Sequence, residues 1–355
     1  MSSRLLHPTR AAIPSYHSRT VYAVPPAQAE AIVRVTAYHR KDFDLAVVWF
    51  PPREHAKVAV SISSAFRDPT TTLGHLDRLP LELVNEICLR LDMASIFHFW
   101  QTNLRARQIV DSLHEYQIVA TSALNCLCAL LRTGSASRVI LSNFYQRLCE
   151  QTCSVCGDRY GDLISLLTWT RCCSTCLRKR APELRVATAA TVRRILRLSK
   201  ELVEKLPSLT TLPGVFSMDE KPRKARVKVV DAQSALSAYY KGNSGSGPML
   251  DRISRPDLEF MVCCALPSYN PRTKRIQNGV SCAGCQVAVE DGIDPSGADW
   301  LFDFRDMVYS IDGFLKHFEW CEQAQHLWTS STCGTIEPAK YPHSCRIGGY
   351  FNRRQ

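Results

Sequence analysis

Leu76-Asp-Arg-Leu-Pro-Leu-Glu-Leu-Val-Asn-Glu-Ile-Cys-Leu-Arg-Leu-Asp92 is the stretch from which the rest of the chain is read. Proline suits a helix's first turn, where its missing N–H is not needed. After Pro80, the residues Leu83, Val84, Ile87, Cys88 and Leu91 recur at helical spacing and share one face. Asp92 is placed to cap a second short helix carrying Ile96, Phe97, Phe99 and Trp100. Asn103 is placed to cap a third, with Leu104, Ile109, Val110 and Leu113. Three helices this short bury little by themselves, so the cluster over 74–113 needs further packing partners.

Working outward, helices are expected at 116–132 and 138–149 and from Thr191 to Leu206, where Val192, Ile195, Leu196, Leu202, Val203 and Leu206 align. Gly242-Asn-Ser-Gly-Ser-Gly-Pro248 reads as a flexible joint. Beyond it, a lobe over 249–330 mixes the strand-like Phe260–Leu266 with a helix from about Phe304 to Trp328, and 331–355 reads as a tail. Ahead of the cluster, Ile32–Tyr38, Leu45–Phe50 and Ala56–Ile62 are rich in β-branched or aromatic residues and separated by turn residues. They predict a small antiparallel β unit over 34–66. Residues 1–33 carry Arg4, Arg10 and Arg19 among prolines and small residues and read as a flexible basic tail. The expected class is α+β, mainly α.

With 355 residues, 45% of them hydrophobic and 22% charged, the chain can build true cores and is long enough for about two domains. Its longest uncharged run, the 16 residues Tyr116–Leu131, is too short and too polar for a membrane span, so no membrane partner is expected. The N-terminus lacks the pattern of a secretory leader, which points to a cytoplasmic or nuclear setting. The net charge of +11 is concentrated: Arg171–Lys228 holds 15 basic and 5 acidic residues. Glu290–Asp312 runs the other way, with seven acids against Arg305. These stretches are solvated faces, surfaces that dock on one another, or a site for phosphates.

Sixteen cysteines in a reducing compartment suggest metal rather than disulfides. Cys153-Ser-Val-Cys156 and Cys173-Ser-Thr-Cys176 are two knuckles 16 residues apart, the spacing of a closed four-cysteine zinc site. Each knuckle aims both sulfurs at one ion, and four thiolates around Zn²⁺ leave a net negative charge that Arg171, Arg178, Lys179 and Arg180 are placed to offset. Cys172 is the spare. Cys282-Ala-Gly-Cys285 is a third knuckle, and His317 and Cys321, four apart on a predicted helix, can complete a three-cysteine, one-histidine zinc site. Cys333, His343 and Cys345 read as bystanders, and Cys88, Cys126, Cys128, Cys149, Cys263 and Cys264 as packed thiols.

Leu76–Asp92 followed by Ile96-Phe-His-Phe99 resembles an F-box. The matching pieces that follow are Asn103–Leu113, Ala129–Gly134, Thr170–Leu177, Gly279–Gln286 and Phe314–Gln325. In this order they resemble the Cys-rich, zinc-knuckle C-terminal region of filamentous-fungal F-box proteins. The resemblance implies that 74–113 binds the Skp-type adaptor of a cullin ubiquitin ligase while the rest of the chain holds a protein substrate. On that analogy Leu79, Pro80, Leu83, Ile87, Leu91 and Ile96 form the adaptor-facing or cluster-supporting set. Two positions depart from the pattern: Ala106 replaces a large aromatic and Thr102 a common valine, which puts adaptor affinity in question. Trp100 is a candidate to fill the lost volume. The first zinc site (151–177) and the basic helix then belong to a helical region over 114–241, and the second site to the lobe over 249–330.

No phosphate-binding glycine loop, nucleophile elbow or H-E-x-x-H motif is present, so catalysis is not expected. Three readings follow. One is a non-enzymatic substrate receptor with structural zinc. The others are a zinc-stabilised nucleic-acid binder and a general protein-interaction protein. Phe216 is the sole aromatic in the basic stretch, a poor platform for base stacking, so nucleic acid is the weaker partner. Lys221-Pro-Arg-Lys-Ala-Arg226 is either an import signal or a solvated loop.

Overall fold

The computed structural model describes residues 21–63, 71–242, 250–292 and 300–351. These residues are mostly helical with small antiparallel sheets, an α+β fold that is mainly α. They divide into two compact units, one joining the segment that ends at Asp42 to Asn278–Tyr350, the other centred on Phe43–Gln277. The expected lobe over 249–330 is therefore assembled differently. Residues 250–277 belong with the larger unit, and the segment ending at Asp42 joins the smaller one.

In the larger unit, the helices Leu81–Arg90, Met93–Thr102 and Leu104–Ser112 follow the sequence reading closely. Pro80 is the residue just before the first helix and holds extended backbone. The Asp92 carboxylate accepts from the backbone N–H of Ala94 at 3.0 Å and of Ser95 at 2.9 Å. The Asn103 side chain accepts from Ala106 N–H at 2.8 Å. Each cap satisfies amides that a helix leaves unpaired at its start. The helix expected over 116–132 breaks at Ala123 into His114–Ser122 and Leu124–Thr133, and the next forms over Leu141–Cys149. Val84, Cys88, Met93, Ile96, Ile109, Val110, Phe144 and Leu148 share one core with these helices.

Three short strands complete that core. Leu163–Ser165 pairs on one side with Arg171–Cys172 and on the other with Cys263–Ala265, both antiparallel. Phe260–Leu266 is thus strand only over Cys263–Ala265, after a 3₁₀ turn at Phe260–Val262. The long basic helix is two. Ala189–Leu196 ends where Arg197 turns left-handed (φ 53°), and Ser199 caps Lys200–Lys205 by accepting from Leu202 N–H. Val192, Leu196 and Val203 face a second small core, whereas Leu202 is exposed, because the turn takes it out of register with the others.

Over its described residues, 34–63, the expected β unit is mainly helical. Ile32–Tyr38 alternates as a strand does, but Ile32, Val35 and Thr36 also fit helical spacing, and burial of that face decides the outcome. The helix Ala29–Thr36 results, with the Thr36 hydroxyl bonded to Ile32 O at 2.6 Å, and only Ala37–Tyr38 is strand. Lys41–Ala46 and Pro52–Ser63 are helices too, the latter opened by Pro52.

In the smaller unit, Ala37–Tyr38 pairs antiparallel with Ser281–Cys282. The helix expected from Phe304 to Trp328 is interrupted twice, giving Trp300–Arg305, Ile311–Phe318 and Glu322–Ser330. Ser310 and Cys321 occupy the cap positions at the breaks. Neither expected tail holds where it is described. Tyr22 N–H donates to Glu319 O at 2.8 Å and its ring meets Phe318 edge-on. Ser331 and Cys345 are buried, the latter in the helix His343–Ile347. Residues 1–20, 64–70 and 243–248, which carry parts of the expected tail, β unit and joint, lie outside the described residues.

Candidate functional site: two thiol clusters and an exposed apolar face

All eight predicted ligands come together in two groups. The ligand atoms of Cys153, Cys156, Cys173 and Cys176 lie within 4.8 Å of one another, and so do those of Cys282, Cys285, His317 and Cys321. A tetrahedral Zn²⁺ with bonds of about 2.3 Å separates its sulfurs by about 3.8 Å. The sulfurs of Cys153 and Cys176 are 3.9 Å apart, and those of Cys282 and Cys321 3.7 Å.

The first cluster is built by two turns. Cys153 N–H donates to Arg159 O at 2.8 Å, and Gly157, at φ 70°, closes the first knuckle with a bond to Cys153 O. Such a φ costs a side-chain-bearing residue strain that glycine avoids. Cys173 opens the helix Ser174–Arg178, and its sulfur accepts from Cys176 N–H at 3.4 Å. The half-buried Asp162 carboxylate receives both the N–H and the hydroxyl of Ser174, fixing the start of that helix. Burial raises the Asp162 carboxyl to about 6 despite those bonds.

The cations expected to offset the thiolates are largely engaged elsewhere. Arg171 is fully buried and gives its guanidinium to the carbonyls of Gly161, Arg147, Leu266 and Pro267 at 2.7–3.1 Å. It ties the base of the knuckle to two other segments. Arg180 bonds Glu259, and Arg178 lies over the Phe43 ring. Cys172 does not join the group, and its thiol is raised by a bond with Cys263 and by burial.

Charge within the first cluster is uneven. Bonds from the Cys173 and Cys176 thiols hold Cys153 far below the ordinary thiol range, and a bond from Cys173 brings Cys156 to about 6. Cys173 and Cys176 are pushed up, chiefly by the same contacts with Cys153. Four sulfurs this close cannot all ionise without a cation among them, which suits a thiophilic ion of charge two.

The second cluster is drier, with all four ligands buried. His317 lies in the helix Ile311–Phe318 and Cys321 just beyond it, so they do not share one helix as expected. The Cys321 N–H still bonds His317 O at 3.1 Å, which preserves the one-turn offset. Imidazole Nε2 is 3.2 Å from Cys285 Sγ, and Nδ1 is 3.2 Å from the Tyr309 hydroxyl. A partner on one nitrogen orients the other toward a metal. Tyr309 stacks on the imidazole at 4.8 Å and Trp320 meets it edge-on at 4.4 Å. Burial opposes charge on Cys321, but bonds from Cys282 and Cys285 and attraction to His317 bring its thiol well below the ordinary range. Burial raises Cys282. Gly284, inside the knuckle, is obligatory: a Cβ there would lie 2.2 Å from Ala324 N in the helix Glu322–Ser330.

Sequence spacing pointed to the eight residues that the structure groups, but not to Tyr309, Asp162 or Ser174, which act from distant positions with no motif of their own. His343 is exposed, Cys333 is exposed, and Cys345 packs with Tyr38, so none joins a cluster. Cys88, Cys126, Cys128, Cys263 and Cys264 are core residues, with Cys149 packed at the edge.

The helix Leu81–Arg90 does not turn all its apolar residues inward. Val84 and Cys88 are buried, but Leu83 is 52% and Ile87 46% exposed, one turn apart. Leu79 and Pro80 precede them on the surface, and Leu91 is half-buried. Ile96 has no exposed surface, so it supports the cluster and cannot touch a partner. Leu76, Leu81 and Leu104, absent from the predicted set, are also exposed. Ala106 is fully buried. Trp100 is half-buried, fixed by Nε1–H to Asp111 at 2.8 Å and covered by Arg107.

The family model for the F-box domain matches residues 76–118, so the chain carries an F-box domain made of the capped helices and the start of the next. No curated protein and no solved structure matches the chain.

Proposed function

We propose that this chain is a non-enzymatic substrate-receptor subunit of a cullin-type ubiquitin ligase, joined to a Skp-type adaptor by its F-box. The observation that carries the reading is the F-box match together with the outward-facing Leu83 and Ile87 within it. Large apolar side chains grouped on one small domain favour a protein interface, since each gains by leaving water. The adaptor-facing set is then Leu79, Pro80, Leu83 and Ile87, with Leu91 at its border and Leu76, Leu81 and Leu104 as additions. Zn²⁺ is the ion that both clusters suit. Each supplies four ligands and leaves no position for a substrate, which assigns the metal a scaffolding role.

Several cations of the Arg171–Lys228 stretch have partners within their own unit. Arg171 is buried on carbonyls, Arg180 and Arg185 pair with Glu259 and Asp251, and Lys221 and Arg223 share Asp257. That local neutralisation speaks against a continuous band for nucleic-acid phosphates. The test is co-purification of the tagged chain from cells. The intact chain is expected to bring down adaptor and cullin, and a chain lacking residues 76–118 neither. Recovery of both by the deleted chain overturns the reading.

A further inference from the structure

The run Lys221-Pro-Arg-Lys-Ala-Arg226, which sequence alone leaves as an import signal or a solvated loop, has a defined shape. Lys221–Arg223 is one strand of a two-stranded ribbon, antiparallel to Gly214–Phe216. Its other edge pairs with no strand among the described residues. Pro222 suits such an edge, because it has no N–H to give to a ladder. All six residues are exposed. Both ends of the run are tied to the interior of the larger unit. Ahead of it, Phe216 is buried in the main core, and Ser217 N–H donates to Ala46 O at 2.9 Å. The ribbon then turns through Ser217 (φ 67°) and Glu220 (φ 51°). After the run, Thr211 N–H donates to Val227 O and Val227 N–H to the Thr211 hydroxyl, both at 3.0 Å. The chain passes directly into Lys228–Asp231, the middle strand of a three-stranded sheet. The run is thus held out from the core by its neighbours, although none of its own side chains is buried.

Four cations stand in these six residues. Lys221 lies 3.0 Å from Asp219 and 3.3 Å from Asp257, and Arg223 lies 3.1 Å from the same Asp257 oxygen. Lys224 and Arg226 make no ion pair among the described residues. Exposed pairs hold weakly, so an acidic partner can take over Lys221 and Arg223 while gaining Lys224 and Arg226 outright. We propose that Lys221–Arg226 is a nuclear import signal, bound as an extended segment in the carboxylate-lined groove of an import receptor. Short runs rich in lysine and arginine serve either import or nucleic-acid contact. The geometry favours the first. A groove takes one extended segment and reads its side chains in succession, which an exposed strand with an open edge offers. A nucleic-acid strand calls for cations spread along its backbone and for aromatics to stack on, and the run holds no aromatic. The proposal stands apart from the ligase reading, since it uses no residue of the F-box.

The test fuses the full chain to tandem fluorescent proteins, making it too large to diffuse through nuclear pores, and compares nuclear with cytoplasmic fluorescence in living cells. The wild-type fusion is expected to show a several-fold nuclear excess. Replacing Lys221, Arg223, Lys224 and Arg226 together by glutamine is expected to abolish it, and the charge-keeping pair Arg223→Lys, Arg226→Lys to preserve it. The milder pair Lys224→Gln, Arg226→Gln loses no ion pair, so it is expected to reduce the excess while keeping melting temperature, zinc content and adaptor binding. With purified proteins, anisotropy against an import receptor for basic signals is expected to show binding that weakens with salt and falls at least about tenfold in the quadruple variant. A wild-type fusion without nuclear excess, an excess that both glutamine variants keep, or a duplex or single-stranded oligonucleotide bound more tightly than the receptor overturns the proposal. Adaptor titration of the same samples keeps the two readings apart. Intact adaptor binding without import refutes the signal alone, whereas import by a wild-type chain that does not bind adaptor supports the signal and refutes the ligase reading.

Discussion

Replacing Leu83 and Ile87 together by aspartate tests the adaptor face directly. These residues are 52% and 46% exposed, so roughly half of each side chain is still available for burial. Fully burying a leucine or isoleucine is worth about 1.5–3 kcal/mol, so covering the remaining half gains roughly 1 kcal/mol per residue. The double substitution forfeits about 2 kcal/mol by that measure, and each carboxylate closed into an apolar contact costs about 1–3 kcal/mol more. The sum is at least about 4 kcal/mol, or roughly a thousandfold in Kd. The free fold should feel little, since substitutions at exposed positions usually stay within about 0.5 kcal/mol. Calorimetric titration with purified Skp-type adaptor gives the affinity, and a thermal melt followed by circular dichroism gives the stability. Val84→Asp is the opposite control: Val84 is 5% exposed within the main core, so that variant should unfold and bind nothing. A double variant that binds within tenfold of wild type refutes the assignment of this face. So does one that unfolds, since its side chains would then be holding the domain together.

Metal analysis of the purified protein should find two zinc equivalents, and Cys176→Ser and Cys321→Ser should each remove about one, since each loses one of four ligands. A chelator should strip the first cluster faster, because Cys156 is exposed while every ligand of the second is buried; equal rates, followed by a zinc dye, count against this. Gly284→Ala should destabilise the smaller unit by roughly 3 kcal/mol and lower its zinc retention, because the added Cβ falls on the backbone of Ala324. Arg171→Met should lower the melting temperature sharply, as each carbonyl left unpaired costs roughly 1–3 kcal/mol; an unchanged melt would remove the buried arginine from the scaffold.

What the sequence made legible was local. Asp92 and Asn103 are caps because their side-chain oxygens reach amides two or three residues away, a relation any chain displays in its spacing. The C-x2-C pairs are legible for the same reason, since a knuckle is a single turn. Which side of the helix Leu81–Arg90 faces water was not legible. Five apolar residues made its stripe wide, and only packing divides Val84 and Cys88 from Leu83 and Ile87. Ile32–Tyr38 satisfies strand and helix periods at once, and the choice is made by residues from the far end of the sequence. The breaks at Arg197, Ser310 and Cys321 are short-range features, yet apolar periodicity runs on through them and conceals them.

The misread N-terminal segment and the second thiol cluster are one structural fact. Ala37 pairs with Cys282 in the short antiparallel ladder, so the backbone of the first ligand is held by a residue from the far end of the chain. The helix just before that strand sends Ile32 and Val35 into the core formed by Cys282, Cys285, Cys321, Phe314, Phe318 and Trp328. Ligands and apolar packing therefore occupy the same interior. A bound ion would replace repulsion among the sulfurs with bonds, and in doing so would fix the surface on which the helix Ala29–Thr36 packs. The reverse holds by linkage: any change that loosens that helix should weaken metal binding at the second cluster, although no residue of the helix is a ligand.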